Sequence, residues 1–261
     1  MRISLLSRLS FFSFVACIIF SCNKTEKFQT EPLSNYLPLT VGKYIIYRID
    51  STVFTNFGRT TEIHSYQVKH AVEAELTDNL GRPAFRVYYY LRDSAGTQPW
   101  TPIGSYFITP LSDRIEVIQD NLRVIKMHLP IKNGYSWKGN TFLPADPYGS
   151  LYSFSNDDNM ADWDFYFDGE AESTITLLGQ TYNDVYTITE DDESYNVPIT
   201  DPKSYAARSY SVGKYAKNIG LVYREFILWE QQPNPSGNPP NVSYDPYKIG
   251  FAIKMWMISH N

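Results

Sequence analysis

The chain predicts an all-β fold: an antiparallel sheet of about ten strands, built as a sandwich, a barrel, or a curved sheet partly closed on itself. Three observations predict it. Between Ile63 and Leu76 the residues alternate. His64, Tyr66, Val68, His70, Val72, Ala74 and Leu76 face one way, and Ile63, Ser65, Gln67, Lys69, Ala71, Glu73 and Glu75 face the other. That is the period of a half-buried strand. Runs of this kind are separated by turn residues, with no sustained helical period anywhere. Tyr and Phe, at 21 and 15 of 261 residues, favour pleated, half-buried surfaces and argue against disorder.

In chain order, Lys43–Phe54 reads as the first strand, rich in aromatic and β-branched residues. The alternating run follows and turns at Asp78-Asn79-Leu80-Gly81. The returning strand puts Phe85, Val87, Tyr89 and Leu91 on one side, so the two make a long hairpin. A second hairpin joins Arg114–Gln119 to Leu122–Leu129 through Asp120-Asn121, a pair suited to positive φ. Residues 142–170 read as a long loop or insertion, marked by Pro144, Pro147, Gly149 and a run of Asn and Asp. Strands resume at Ser173–Leu178 and Asp184–Thr189, and residues 190–203 form an acidic loop. Tyr205–Ala216 fits a strand or a short helix, and the pattern does not choose. Leu221–Glu230 is a strand, 231–246 a proline-rich loop, and Ile249–Ile258 the last strand. Residues 38–261 therefore form one β-rich domain.

The first 21 residues read as an export signal. Arg2 and Arg8 precede the apolar run Leu9–Phe20, whose 12 residues fall short of the ~20 that span a bilayer. Ile19-Phe20-Ser21-Cys22 resembles the lipobox of bacterial lipoproteins, which implies cleavage before Cys22 and lipidation of its thiol. Val15-Ala16-Cys17 is a poorer fit, because it leaves Ile18–Phe20 as apolar sequence after the cut. Both Cys lie within the first 22 residues, so a lipidated Cys22 leaves no thiol for a disulfide, a thiolate metal site or a nucleophile. Residues 22–37 read as a polar tether.

Three further segments resemble those of uncharacterised Bacteroidota envelope lipoproteins. They are Tyr36-Leu37-Pro38-Leu39-Thr40-Val41-Gly42-Lys43-Tyr44, Trp137-Lys138-Gly139-Asn140, and Tyr215-Ala216-Lys217-Asn218-Ile219-Gly220-Leu221-Val222-Tyr223-Arg224-Glu225. The resemblance implies a lipid-anchored protein of the outer membrane, on its periplasmic or its surface face, and carries no activity with it.

The search for chemistry yields little. Net charge is −5, and −7 once Arg2 and Arg8 leave with the signal, which argues against nucleic acid as a partner. His64 and His70 lie six residues apart on one strand face, roughly 20 Å, too far to share a metal. His128 and His260 are isolated, and no zinc, nucleotide or serine-elbow motif occurs. Asp162, Asp164 and Asp168 are the metal candidates, since a hard cation gathers oxygens, but Tyr166 breaks the EF-hand order. No cofactor is implied. The leading expectation is a non-enzymatic binding or accessory protein, held at the membrane by its N-terminal lipid and meeting an envelope protein or a glycan. The alternatives are a glycoside hydrolase using carboxylates of 157–172, and a carrier of an apolar ligand lined by Tyr66, Val68, Val72 and Leu76.

Overall fold

The computed structural model describes residues 31–155 and 159–261. Cys22, the signal and most of the tether lie outside the described residues. Fifteen strands follow in order: β1 Tyr44–Thr55, β2 Thr60–Thr77, β3 Pro83–Asp93, β4 Thr101–Pro110, β5 Arg114–Gln119, β6 Leu122–His128, β7 Ser136–Lys138, β8 Asp164–Phe167, β9 Glu172–Leu177, β10 Gln180–Tyr195, β11 Ala206–Ala216, β12 Gly220–Gln232, β13 Pro235–Ser236, β14 Ser243–Tyr244 and β15 Tyr247–His260. Thirteen of them form one antiparallel sheet in the order β6-β5-β4-β3-β2-β1-β15-β12-β11-β10-β8-β7, with β9 hydrogen-bonded to β10. The sheet curls until it is nearly closed as a barrel.

The predicted hairpins form for the reasons given. In β2 and β3, Val68 faces Leu91, His70 faces Tyr89 and Val72 faces Val87. Their turn is held by Asp78, whose carboxylate accepts the Leu80 and Arg82 N–H groups at 2.9 Å. Asp120 and Asn121 both take positive φ, 52° and 62°, as a two-residue turn that matches strand twist requires. Tyr205–Ala216 resolves as a strand, because β10 and β12 flank it on both sides and satisfy its backbone.

Several expectations need correction. There are more than ten strands. Proline and glycine disguise β4, where Gly104 lies under the Tyr89 ring and a Cβ there would sit 2.4 Å from the Tyr89 hydroxyl. The loop at 142–170 contains β8, and that at 231–246 contains the small β13–β14 hairpin. The acidic stretch after Thr189 continues β10 to Tyr195. The end of the expected tether is part of the core: Leu33 and Tyr36 are buried, and Tyr36 meets the Tyr186 ring edge-on at 5.1 Å. Their apolar area outweighs the polar residues around them.

The sheet's two edges, β6 and β7, meet through two hydrogen bonds. The Ile125 N–H donates to the Gly139 carbonyl at 2.8 Å, and the Trp137 indole N–H donates to the Ile125 carbonyl at 2.9 Å. Gly139 is required there because the Phe165 ring lies on it, 2.4 Å from where a Cβ would stand. The Trp137–Asn140 motif is thus the closing seam.

Ion pairs such as Arg48–Asp50, Arg86–Glu73 and Lys254–Glu225 coat the outside of the sheet. A wall of this kind faces water rather than hydrocarbon. No helix among the described residues is long and apolar enough to cross a membrane. The inside is apolar. Val87, Ile108, Ile125, Trp137, Phe165, Phe167, Ile188 and Leu228 belong to one cluster, and Tyr47, Val68, Val185, Val222, Met255 and Met257 to a second.

Candidate functional site inside the barrel

The apolar interior contains a cluster of charge. On β12, Val222, Phe226 and Leu228 share a face with Arg224, which stands opposite Gly213 of β11. Two register shifts bring partners to it. Between β5 and β6 the pairing steps from Ile115–Met127 to Glu116–Ile125 and skips Lys126. Between β10 and β11 it steps from Thr189–Val212 to Asp191–Ser211 and skips Glu190. Both skipped residues are charged and lie on inward faces, Lys126 with Val124 and Glu190 with Tyr186 and Ile188.

The three groups meet closely. Arg224 grips Glu190 with both guanidinium nitrogens, Nη1 to Oε1 at 3.0 Å and Nη2 to Oε2 at 3.1 Å. Lys126 Nζ donates to Oε1 at 2.8 Å, and the Ser211 hydroxyl donates to Oε2 at 2.6 Å. Arg224 Nη2 also donates to the Ser211 oxygen at 3.3 Å. Burial alone pushes the Glu190 carboxyl up, but the two cations and their hydrogen bonds outweigh it and hold it well below the usual range. Burial pushes the Lys126 amine down, Arg224 adds to that, and Glu190 only partly restores it, so it lies at about 8. The Glu190 side chain is 3% exposed, whereas Lys126 and Arg224 keep 19% and 18% of their side-chain surface open.

Aromatic rings surround the charges. Lys126 Nζ sits 5.6 Å from the Phe165 centroid and the Arg224 guanidinium 5.4 Å from that of Phe226. Phe226 meets Phe251 edge-on at 5.1 Å, and Trp163 meets Phe226 at 6.3 Å. The segment expected to be an open loop supplies part of this wall: Tyr148 and Tyr152 lie against Phe251 at 5.4 and 5.8 Å. Ser155 fastens that segment to Glu230, donating its N–H at 2.8 Å and its hydroxyl at 3.0 Å. Tyr205 donates to the other Glu230 oxygen at 2.8 Å. Trp137 and Trp163 are therefore buried, and their aromatic surface serves the core.

The residues singled out earlier fall elsewhere. Asp162, Asp164 and Asp168 are exposed and alternate with buried Trp163, Phe165 and Phe167. Asp164 pairs with Lys138 at 3.0 Å, and Asp162 accepts from Asn159. Among the described residues no group of three or more acidic or His side chains is placed to hold a metal ion. His64 is on the surface beside Glu62 at 3.0 Å. His70 lies among the Tyr47, Tyr89 and Tyr106 rings, with Nδ1 3.0 Å from the Tyr106 hydroxyl, and burial pushes it down to about 4. Of the four residues proposed to line a carrier, Val68 and Val72 are buried in the core, and Tyr66 and Leu76 are half-buried.

A hollow opens at the rim between Asn56, Phe57, Arg59, Asn234 and Tyr247. Phe57 stands at the β1–β2 turn with φ 54° and is 88% exposed. Arg59 at its wall is paired with Asp245.

The Lys126–Glu190–Arg224 cluster was missed because 64 and 34 residues separate its members along the chain. A signal was nonetheless present. Lys126 continues the face of Leu122 and Val124, and Arg224 continues that of Val222, Phe226 and Leu228. A charge on the apolar face of a strand must find a partner across the core.

No protein-family model matches the chain. No curated protein matches it either. Among solved structures it is similar to a candidate exported protein with a YmcC-like fold from Bacteroides fragilis, at 11% identity and TM-score 0.38, over 85% of this chain and 96% of that one. It is similar to a candidate lipoprotein from Parabacteroides distasonis, at 10% identity and TM-score 0.37, over the same shares of each chain. A LolA superfamily protein from Nitrosomonas europaea matches at 10% identity and TM-score 0.17, over 87% and 88%. Scores at this level give no warrant for an activity.

Proposed function

We propose that the chain is a lipid-anchored protein of the outer membrane that acts by binding, and that its barrel takes up an apolar ligand with a polar end. The lipobox-like Ile19–Cys22 supports the anchor. One observation carries the binding reading: Lys126 and Arg224 are enclosed by aromatic walls, yet each keeps nearly a fifth of its side-chain surface open. An interior that is apolar around a few placed polar groups is how small-molecule sites are built. The hydrolase reading gains no support, because Asp162, Asp164, Asp168, Glu170 and Glu172, the described carboxylates of its acidic stretch, are all exposed.

Titration of the mature domain with the uncharged fluorophore N-phenyl-1-naphthylamine tests the reading. The expected result is saturable binding at one probe per chain, reduced at least tenfold in Val72→Arg, whose side chain would project a cation into the core cluster. Binding that never saturates, or that Val72→Arg leaves unchanged in a folded protein, would refute it.

A further inference from the structure

We infer that the polar end of the ligand is an anion, of the carboxylate or phosphate class, received by Lys126 beside Arg224. This rests on the proposal that the barrel binds an apolar ligand. Charge within the cluster is the first argument. Arg224 and Glu190 satisfy each other through two parallel hydrogen bonds, so that pair is neutral. Among the described residues Lys126 is left as a surplus cation, sharing a Glu190 oxygen already bonded to Arg224. An enclosed charge without its own counter-ion is costly, and proteins keep such a charge where something balances it.

Access is the second argument. Glu190 is covered, whereas the two cations are the members of the cluster with surface left open. An incoming group therefore meets the two cationic side chains before the Glu190 carboxylate. Lys126 carries three N–H donors and spends one on Glu190, and Arg224 holds five. An anion arriving here gains charge-assisted hydrogen bonds without displacing Glu190. A neutral head group gains ordinary ones.

Placement is the third. Both register shifts fall at a charged residue of the cluster, Lys126 and Glu190, on the inward face of its strand. If Lys126 kept the ordinary pairing, the seam strand β6 would need no extra residue at that point. The half-buried Phe226 ring beside Arg224 offers an apolar chain a surface adjoining the charge.

The test compares dodecanoate, dodecanol and inorganic phosphate as competitors of N-phenyl-1-naphthylamine at pH 7. Dodecanoate is expected to compete at least tenfold more strongly than dodecanol. Lys126→Met should bring the two within about twofold, chiefly by weakening dodecanoate, and Lys126→Arg should restore the preference. Lys126→Met leaves the neutral Arg224–Glu190 pair intact, so the variant keeps its fold, and a circular dichroism melt verifies this. At pH 8.5, where the free amine is largely neutral, binding of dodecanoate should take up a proton, read by calorimetry in two buffers of different ionisation enthalpy. Equal competition by dodecanoate and dodecanol overturns the anion while leaving the apolar-ligand reading standing. Competition by neither, with no probe bound, overturns both. Competition by phosphate alone makes this a site for a free anion and overturns the attached apolar chain.

Discussion

Replacing Glu190 by Gln removes the counter-ion that Lys126 and Arg224 share. In the folded protein Glu190 accepts four hydrogen bonds, two from Arg224 and one each from Lys126 and Ser211. Gln keeps one acceptor oxygen and turns the other position into a donor facing donors. Removing one partner of a buried ion pair costs about 3–5 kcal/mol, because the remaining charges stay buried without compensation. The retained oxygen places the expectation at the lower end, about 3 kcal/mol. For a domain of this size each kcal/mol lowers Tm by roughly 2–4 °C, so the melt should fall by about 6–12 °C. The assay is urea unfolding at pH 7, paired with a thermal melt. Acid adds a second reading. The folded Glu190 carboxyl is held below its ordinary value of 4.5, so its stabilisation is complete above about pH 4.5 and is lost as pH falls towards the folded value. Glu190→Gln should lack that part of the acid loss. A triple change, Lys126→Met with Glu190→Gln and Arg224→Met, should recover most of the stability by removing both stranded cations. A loss below about 1 kcal/mol in the single variant, with the fold intact, would show that water reaches the cluster freely and that enclosure is the wrong premise.

Three further outcomes are expected. His70 lies at about 4 against 6.5 in the unfolded chain, so the folded state holds it neutral; wild type should lose on the order of 3 kcal/mol as pH falls from 6.5 through 4, and His70→Asn should lose much less, read by urea midpoints at each pH. Trp137→Phe deletes the indole bond that closes the seam and leaves the Ile125 carbonyl without that donor; a cost of about 1–3 kcal/mol, with faster amide exchange confined to 122–128 and 136–140, is expected, and unchanged exchange there would remove the seam's significance. Cys22→Ala should abolish incorporation of labelled palmitate and move the protein out of the membrane fraction; label retained in the variant would place the processing site elsewhere.

Much of the architecture was legible because hairpins are local. The alternation of 63–76, the Asp78 turn and the Asp120-Asn121 turn each encode a pairing within about thirty residues. What escaped depended on distance or on disguise. Gly104 and its flanking prolines hid β4, since the Tyr89 ring that requires the glycine lies on the neighbouring strand. β7 has three residues and exists because β8 and the β6 edge receive it. Leu33 and Tyr36 looked like tether because their partner, Tyr186, stands 150 residues away in the chain. The charge cluster followed the same rule: each member is visible as a break in an apolar face, but which charge answers which is decided by closure of the sheet.

The order of strands has a consequence for how the barrel comes into being. Apart from β9 and the small β13–β14 hairpin, every main strand pairs with its neighbours along the chain, and the one exception is the junction of β1 with β15. The sheet is a meander whose chain ends meet in its middle, where the Tyr44 N–H donates to the Asn261 side chain at 2.7 Å. A polypeptide delivered from its N-terminus can raise β1 to β6 and then β7 to β12 as two separate leaves. The β6–β7 seam joins them along one edge, and β15 joins them along the other by pairing with both β1 and β12. A chain rewired by linking Asn261 to Glu31, which retains Leu33 and Tyr36, and cut between β6 and β7 would keep every ladder and make the β1–β15 pairing local, with the β6–β7 seam now distant. It should fold faster than the natural order, and the difference would measure the wait that the central gap imposes.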